Sequence, residues 1–523
     1  MDAKPDSPIE AVRARLAESG VGARPLRAVL ALLVEGAPLD ELVRRSAVPR
    51  RTVEELLRAA DPDVESTEDG YRLGGGARER YRAEFELDAV HRHAFVGEDR
   101  ESADEFLEEV RGFVTSAPGP KTALDHVSAT PETVLRRARW MREHYELRGA
   151  KVLCLGDHDL TSLAVALVEP TAEVTVVDLD EQVLAHIDGV AGGRGLGVRT
   201  IHADLRFGLP PAVEGWADLV FTDPPYTPEG VGLFAARAAR CCAGAASRVL
   251  LAYGHSDRSP ALGHKVQQQL LKAGLVFEAI LPAFHRYVGA QAIGSASDLY
   301  VCQPTSQARK LDSRRAAGIY THGPQSVEST ASPLTAGEVG EVFGEPVASL
   351  REPGWDKPVP LRSPAVFDLT ADPGPWLLRM LLACNGERVA FLLDNNHPDT
   401  TNASVQKGLS ELVGAKFALR FHRSTPDSEH ALVLAEPVRE EPGQGEFGQG
   451  GSVAARLLNR AHGKLGNTWR EALITATGGT KRAATDRVRA HAPRPADLDL
   501  RLVDLPRHRV ASVVRAAADE PNN

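Results

Sequence analysis

Two short acidic stretches of this chain contain residues that can hold a cation and accept a proton. The first is Gly156-Asp-His-Asp159, and the second, further along the chain, is Asp223-Pro-Pro-Tyr-Thr227. Carboxylates attract ammonium groups and repel anions, and a carboxylate placed beside an amine can take its proton. The two stretches therefore predict chemistry on a cationic substrate that carries amine nitrogens.

The first stretch lies where a nucleotide-binding fold meets its ligand. A strand, a helix and a second strand are predicted over 152–177, and the second strand ends at Asp178. In a βαβ unit of this kind, an acidic residue about 20 positions beyond the glycine turn holds the ribose of a nucleoside. The turn has one glycine, Gly156, where such folds usually place several, and it adds Asp157 and Asp159. It therefore favours a cationic ligand over an anionic one.

The second stretch follows another apolar run, at the carboxyl end of a predicted strand, where open α/β sheets bind their ligands. Pro224 and Pro225 stiffen the backbone and remove two N–H donors, which fixes the directions of the Asp223 carboxylate and the Tyr226 ring. These groups can orient an amine, and the ring can stack on a base or cover an ammonium. The arrangement is typical of enzymes that move an alkyl group from a sulfonium to an amine nitrogen. A turn that merely ends a strand is the alternative.

Strands that alternate with helices must position these residues. The pattern from residue 150 predicts a doubly wound, mostly parallel α/β sheet of the Rossmann-like, class I methyltransferase type. Asp204 follows the third strand, where it either meets an adenine amino group or serves as a turn carboxylate. The predicted strands are 150–155, 173–178, 197–202, 217–221 and 248–253, with a closing pair at 276–283 and 296–302.

Composition limits the class of protein. A chain of 523 residues is too long for one core, so about two to four domains are expected. The net charge of −10 disfavours a nucleic-acid partner and suits a polycationic substrate. Five cysteines show no metal-ligand spacing, so no metal site is predicted. The first residues contain no apolar signal core and no apolar run reaches membrane-spanning length, so a cytoplasmic protein without membrane contact is expected.

The rest of the chain divides by pattern into further segments. Residues 1–75 have the helix and hairpin order of a winged helix, and Arg50, Arg51 and Arg58 lie in its recognition helix. Acidic residues in the wing oppose phosphate binding, so a dimerisation or lid module is expected rather than a DNA-binding one. A helical connector with a substrate-lid segment is expected at 76–149, and the catalytic domain at 150–305. A flexible linker is expected at 437–452. The C-terminal region, 453–523, is expected to be helical, with helices at 453–478, 480–491 and 505–518.

Residues 335–436 repeat part of the order of strands and helices predicted for the main sheet. The segment 388–436 is expected to form a strand, a helix and two strands, as 248–302 does. Just upstream, Ala371-Asp-Pro-Gly374 resembles the second acidic stretch but lacks its tyrosine. We therefore expect a degenerate half-repeat of the catalytic sheet that is not a second active site.

Several motifs together resemble those of the branched-chain polyamine synthases, the bis(aminopropyl)spermidine synthases. They are Leu124-Asp125, Thr130-Pro-Glu-Thr133, Gly156-Asp-His-Asp-Leu-Thr-Ser162 and Asp223-Pro-Pro-Tyr-Thr227. The resemblance spans residues 10–305 and implies a winged-helix-like domain before a Rossmann-like catalytic domain. The family's acidic motif is Gly-Asp-Asp-Asp, and this chain has His158 in place of the middle Asp.

The resemblance also implies a reaction. An aminopropyl group would pass from decarboxylated S-adenosylmethionine to an amine nitrogen of a polyamine such as spermidine, with release of methylthioadenosine. No permanently bound cofactor is expected. The protein is expected to form a homodimer. The implied roles are catalysis for Asp159 and Asp223, acceptor binding for Asp125, Asp157, His158, Tyr226 and Thr227, and donor binding for Gly156, Asp178, Asp204, Pro224 and Pro225.

Two other functions fit parts of the pattern. N-methyltransferases that act on amino groups share Asp-Pro-Pro-Tyr and use S-adenosylmethionine, but the acidic turn disfavours the carboxylate of that donor. A non-catalytic, polyamine-sensing DNA-binding regulator would instead use the winged helix. Salt-sensitive DNA binding without turnover would identify such a regulator.

Overall fold

The computed structural model describes residues 7–19, 23–88, 106–308, 318–322, 334, 336–345, 347, 349–438 and 452–519. The chain divides into two compact units. One contains residues 1–174 and 218–311, and the other contains residues 175–217 and 312–523. Within the described ranges, no helix combines the length and the apolar character needed to cross a bilayer.

The N-terminal segment folds as helices and a hairpin, in the order expected from the sequence. Helices α1 to α4 span Pro8–Ser19, Arg24–Glu35, Leu39–Ser46 and Arg50–Ala59, and strand β1 (Val64–Thr67) pairs antiparallel with β2 (Gly70–Leu73). Helix α5 (Gly75–Phe85) packs on these elements through Tyr81 and Phe85. Their apolar side chains form one shared core, so this segment has its own hydrophobic interior.

Helix α4, at the recognition position of a winged helix, makes contacts within the same unit. The Arg50 guanidinium bonds the side chain of Gln291 and pairs with Glu54 at 2.9 Å. Nearby, Gly294 has φ +77°, and a Cβ on it would lie 2.4 Å from the carbonyl oxygen of Ala47. The turn before α4 is therefore packed closely against the loop that contains Gly294.

We expect this N-terminal segment not to bind DNA, because Arg50 already has protein partners and Arg51 pairs with Glu55. Fluorescence anisotropy with a labelled duplex, repeated over a range of salt concentrations, measures this directly. Binding in the micromolar range that weakens steeply with salt, and that Arg50→Ala removes, would contradict the expectation.

The predicted helical connector at 76–149 is helical and packed where it is described. Helix α6 (Leu107–Thr115) buries Leu107, Val110 and Phe113, and residues 89–105 lie outside the described ranges. Helix α7 (Pro131–His144) begins at the Thr130 cap, whose hydroxyl accepts the N–H of Thr133. Both helices bury an apolar face, so this part of the chain is packed structure.

The main sheet has seven strands in the order β5-β4-β3-β6-β7-β9-β8. They are β3 (Lys151–Leu155), β4 (Glu173–Asp178), β5 (Val198–His202), β6 (Leu219–Thr222), β7 (Arg248–Tyr253), β8 (Leu275–Arg286) and β9 (Ala296–Pro304). Helices α8 (Thr161–Val168), α9 (Glu181–Arg194), α10 (Pro228–Cys241) and α11 (Pro260–Lys272) lie between strands. Strands β3, β6 and β7 run parallel, and β9 is antiparallel to β7 and β8. The predicted doubly wound α/β fold is confirmed, together with its closing strand pair.

A smaller sheet in the second unit has the strand order β11-β13-β15-β14. Its strands are β11 (Ala365–Asp368), β13 (Val389–Asp394), β14 (Phe417–Arg423) and β15 (His430–Pro437), with α13 (Trp376–Ala383) and α14 (Ala403–Val413) between them. Helix α12 (Ala336–Phe343) precedes this sheet, and β10 (Val359–Leu361) pairs separately with β12 (Cys384–Gly386).

The small sheet has the same strand order as the second half of the main sheet, β6-β7-β9-β8. In both, the first two strands are parallel and the other neighbouring pairs are antiparallel. This is the strand–helix–strand–strand pattern on which the predicted half-repeat depends. A common origin of the two halves stays a prediction.

The counterpart of Asp223 in the small sheet, Asp372, has a fully buried side chain. Its carboxylate accepts the backbone N–H groups of Gly374, Trp376 and Leu377 at the start of α13, and it lies 3.0 Å from the ring of His397. These bonds satisfy donors that the first turn of a helix leaves open. Asp372 is therefore a helix cap and not an exposed substrate ligand.

The C-terminal region is helical, with one difference from the prediction. Its helices are α15 (Val453–Asn459), α16 (Leu465–Thr477), α17 (Lys481–His491) and α18 (Arg507–Ala518). The single helix predicted over 453–478 is wrong, because the chain turns at Gly463, where a Cβ would lie 2.5 Å from the hydroxyl oxygen of Thr468. Residues 439–451 of the predicted linker lie outside the described ranges.

Candidate active site

The acidic turn connects β3 to α8. Gly156 has φ +70°, in the left-handed region that glycine adopts without strain. Asp157 is only 2% exposed, and its carboxylate oxygens lie 3.3 and 3.2 Å from the N–H of Ser162 in the first turn of α8. Asp157 therefore helps to cap this helix, and the ammonium contact predicted for it stays a prediction.

Asp159 is bonded from two sides. Its Oδ1 accepts the backbone N–H of Ala129 at 2.7 Å, and its Oδ2 accepts from Nη1 of Arg137 at 2.9 Å. Burial alone would raise the pKa of Asp159, but the charges of Arg137 and His158 and the Ala129 N–H outweigh it and hold the pKa below its usual value. Asp159 is therefore ionised at neutral pH.

Asp223, directly after β6, accepts hydrogen bonds from two tyrosines and from the same arginine. Its Oδ1 accepts from the Tyr226 hydroxyl at 3.0 Å, and its Oδ2 accepts from Tyr287 and from Nη2 of Arg137, both at 2.7 Å. Burial, opposed by Arg137 but assisted by the charge of Asp159, raises the pKa of Asp223 to about 6. This carboxyl therefore changes charge close to neutral pH, as an efficient general base does.

A buried guanidinium joins the two carboxylates. The side chain of Arg137 has no exposed surface, and its Nη1 also bonds the Thr161 hydroxyl at 3.1 Å. Burial opposes the charge of Arg137, but Asp159, Tyr287 and Asp223 outweigh it and raise the pKa of this group. When Asp159 and Asp223 are both ionised, the cluster of these two carboxylates and the Arg137 guanidinium has a net charge of −1.

The Tyr287 hydroxyl completes this cluster. It lies 3.0 Å from the hydroxyl of Tyr226 and 2.8 Å from that of Ser297. Burial and the charge of Asp223 raise the pKa of both tyrosines well above the usual value. The two phenols therefore stay neutral and can donate hydrogen bonds to the carboxylate.

Arg137 and Tyr287 are absent from the site residues predicted from the sequence. One signal points to Arg137: it shares the buried face of α7 with Val134, Ala138 and Met141. A charged residue on an apolar helix face requires a buried partner of opposite charge. Tyr287 follows the long strand β8 and belongs to no motif, so the sequence contains no comparable signal for it.

Other residues predicted to bind the acceptor lie around the acidic turn. Nε2 of His158 is 3.3 Å from the Ser128 hydroxyl, and its ring stacks on that of His126 with centroids 4.2 Å apart. Asp125, with φ +53°, directly precedes His126 in the chain. His158 thus stacks on the residue that follows Asp125 in the chain.

The remaining residues of Asp223-Pro-Pro-Tyr-Thr227 shape the chain after β6. Pro224 and Pro225 are buried. The Thr227 hydroxyl accepts the N–H of Gly230 at 2.9 Å, so Thr227 caps α10, and the substrate contact predicted for it stays a prediction.

Two predicted donor residues belong to the second unit. Asp178 ends β4 and accepts the N–H of Asp180 at 2.7 Å. Asp204 follows β5. Its Oδ1 accepts two hydrogen bonds from Arg206, from the backbone N–H at 3.0 Å and from Nε at 2.9 Å. Its Oδ2 accepts from Nη2 of Arg206 and from Nε1 of Trp376, the latter at 3.0 Å. A carboxylate has about four acceptor positions, and all are used. The geometry therefore opposes the predicted adenine contact of Asp204 and favours the alternative of a turn carboxylate.

No metal-binding group was predicted from the sequence. Across the ranges that the structure describes, no three His, Cys, Asp or Glu side chains are arranged to hold a metal ion.

Comparison with known proteins shows which family the central part of the chain resembles. Residues 105–306 match the family model of the branched-chain polyamine synthase A C-terminal domain. Uncharacterized protein MJ0675 of Methanocaldococcus jannaschii is 32% identical over 253 residues, which are 48% of this chain and 63% of that protein. The N(4)-bis(aminopropyl)spermidine synthase of Thermus thermophilus is 29% identical over 270 residues, which are 51% of this chain and 78% of that protein.

This chain also aligns with a crystal structure of the branched-chain polyamine synthase from Thermus thermophilus, with a TM-score of 0.43 and 23% identity. That structure is a complex with N4-aminopropylspermidine and 5'-methylthioadenosine. The alignment covers 63% of this chain and all of that one. The chain spans less than two thirds of the Methanocaldococcus protein. The resemblance of the motifs is confirmed: residues 105–306 of this chain are similar to the branched-chain polyamine synthase family.

Proposed function

We propose that this chain transfers an aminopropyl group from decarboxylated S-adenosylmethionine to an amine nitrogen of a polyamine and releases methylthioadenosine. The observation that carries the proposal is the Asp223 carboxyl, which has a pKa of about 6 among Arg137, Tyr226 and Tyr287. The Thermus relative is named N(4)-bis(aminopropyl)spermidine synthase, which supports aminopropyl transfer to a polyamine.

Asp223 is the proposed proton acceptor. The acceptor nitrogen attacks the aminopropyl carbon bound to the sulfonium, the new C–N bond forms, and the electron pair of the broken C–S bond returns to sulfur. The nitrogen gives up one proton in this step. Oδ1 of Asp223 accepts one hydrogen bond, from Tyr226, and keeps a lone pair for that proton.

Asp159 is the proposed electrostatic partner in this reaction. The sequence left the proton-accepting role open between Asp159 and Asp223. Both oxygens of Asp159 accept hydrogen bonds, and its pKa is lowered, so it is the weaker base. Its negative charge, next to the His126–His158 pair, would instead attract the ammonium groups of a polyamine.

The acidic turn distinguishes the two sulfonium donors. Asp157 and Asp159 occupy the turn after β3, where a donor carboxylate would meet negative charge. Decarboxylated S-adenosylmethionine lacks that carboxylate, and its cationic aminopropyl arm suits the turn. Purified protein should be offered each donor separately with spermidine. Methylthioadenosine from the decarboxylated donor is expected, and S-adenosylhomocysteine from the intact donor would make the protein a methyltransferase.

The raised pKa of Asp223 predicts how the rate depends on pH. Below pH 6 the carboxyl is protonated and cannot take the amine proton, so kcat/KM should fall about tenfold for each pH unit. The loss therefore occurs as pH decreases through about 6, and this titration should leave the rate level above about pH 7. Initial rates at saturating donor between pH 5 and 8 measure this, and a rate that stays constant from pH 5 to 7 would exclude Asp223 as the base.

A further inference from the structure

We propose that Trp376, in the C-terminal part of the chain, is a positioning residue for the donor nucleoside. It would act by holding the loop after β5 (residues 203–209), here called the Asp204 loop. The inference rests on the proposed function, because it takes this loop as part of the donor site. Loops at the carboxyl ends of parallel strands are where open α/β sheets bind ligands.

The Asp204 carboxylate is the point of attachment. Nε1 of Trp376 donates to its Oδ2 at 3.0 Å, and both side chains are almost completely buried. Arg206 binds the same carboxylate through its Nε and Nη2. A hydrogen bond from a neutral donor to a buried carboxylate is stronger than one between neutral groups. The indole N–H therefore fixes the carboxylate in a single orientation.

Aromatic rings from the same unit enclose the rest of the loop. The Arg206 guanidinium lies 5.0 Å from the ring of Trp376 and 5.4 Å from that of Tyr320. The Phe207 ring packs on Trp355 and Trp376, with centroid distances of 4.3 and 5.1 Å. Guanidinium-to-ring contacts of this kind are favourable when they are shielded from water. The loop is thus held by its polar and its apolar side chains together.

Trp376 is itself held rigidly, as the first residue of α13. Asp372 accepts its backbone N–H at 3.0 Å. One turn further on, the buried Arg379 donates to the carbonyls of Val503 and Leu505 at 3.1 and 2.8 Å. A side chain on so constrained a helix can fix the loop that it contacts.

This arrangement gives a role to part of the chain that the family model does not reach. The model matches residues 105–306, whereas Tyr320, Trp355 and Trp376 lie beyond it. Because the four acceptor positions of Asp204 are filled by Arg206 and Trp376, we assign Asp204 to shaping the loop.

Trp376→Phe tests the proposal, since it keeps an aromatic ring and removes the N–H. The Kd for methylthioadenosine and the KM for the donor are expected to rise about tenfold, with kcat and the acceptor KM within about twofold of wild type. The matched control is Trp469→Phe, at a fully buried tryptophan of α16 whose ring nitrogen has no hydrogen-bond partner among the described residues. Its donor KM should stay at the wild-type value.

A folded Trp376→Phe variant with wild-type donor KM and methylthioadenosine Kd would overturn the inference. If circular dichroism shows that this variant is unfolded, Arg206→Lys replaces it, because lysine keeps the charge but cannot form the two-pronged bond to Asp204. A wild-type donor KM in that variant would overturn the inference equally. Wild-type protein that neither binds methylthioadenosine nor releases it from the donor refutes the proposed function itself, which is a separate result.

Discussion

Replacement of Asp223 by Asn should lower kcat for aminopropyl transfer about 1,000-fold, the size of effect expected when a general base is lost. Asn cannot accept the proton of the attacking amine. It does keep an oxygen that can accept a hydrogen bond from Tyr226 or Tyr287, and Arg137 keeps its ion pair with Asp159, so the variant should still fold and bind its substrates. Release of methylthioadenosine in single-turnover experiments measures the chemical step without interference from product release.

The matched control for this experiment is Asp218→Asn. Asp218 is exposed and accepts the backbone N–H of Lys151 at 2.9 Å, directly before β6, whereas Asp223 directly follows it. The same chemical change at the opposite end of one strand should leave kcat at the wild-type value. A rate for Asp223→Asn within tenfold of wild type, with Asp218→Asn unchanged, would remove Asp223 from the role of base.

Arg137→Met should lower the free energy of unfolding by about 3–5 kcal/mol at neutral pH, as expected when one partner of a buried ion pair is removed. Asp159 and Asp223 would remain buried near each other without a counter-charge, and their pKa values should rise. The loss of stability should shrink toward pH 5, because protonation then removes the repulsion in the folded protein. Urea unfolding at pH 7 and pH 5 measures both effects.

The same change should also abolish transfer near neutral pH, because a protonated Asp223 cannot act as a base. Arg136→Met is the matched control: Arg136 neighbours Arg137 on α7 and donates to the carbonyl of Phe284 at 2.9 Å. The double variant Arg137→Met/Asp159→Asn should recover part of the stability, because it removes one of the two charges. Wild-type stability in Arg137→Met would show that the guanidinium does not balance these carboxylates.

The positions of the chemical residues in the fold could be predicted, because hydrophobic periodicity reports strand ends. Asp159 and Asp223 follow β3 and β6, which are neighbouring parallel strands, and both bind Arg137. The individual roles could not be predicted equally well. Asp157 and Thr227 cap helices, and nothing in the residue type separates a capping oxygen from one that binds a ligand.

The partners that decide these roles lie far away in the sequence. Arg137 reaches Asp223 across 86 positions, and Trp376 reaches Asp204 across 172. Local pattern and propensity contain no information about such pairs, since they depend on how whole elements pack. The turn between α15 and α16 could not be predicted for the same reason: Gly463 lies in it, close to Thr468, and local pattern does not report such a contact.

The small sheet and the second half of the main sheet share a strand order, so strands of one could pair wrongly with strands of the other while the chain folds. Domain swapping between similar modules is a characteristic misfolding route of repeat proteins. The hairpins differ, however: β8 has 12 residues and pairs with β9 through two register shifts, whereas β14 has 7 and pairs with β15 in continuous register. Because a strand that pairs out of register turns its apolar side chains to the wrong face, an exchange of β8 and β14 would be penalised. The irregular pairing of β8 would thus disfavour an exchange of strands between the two sheets.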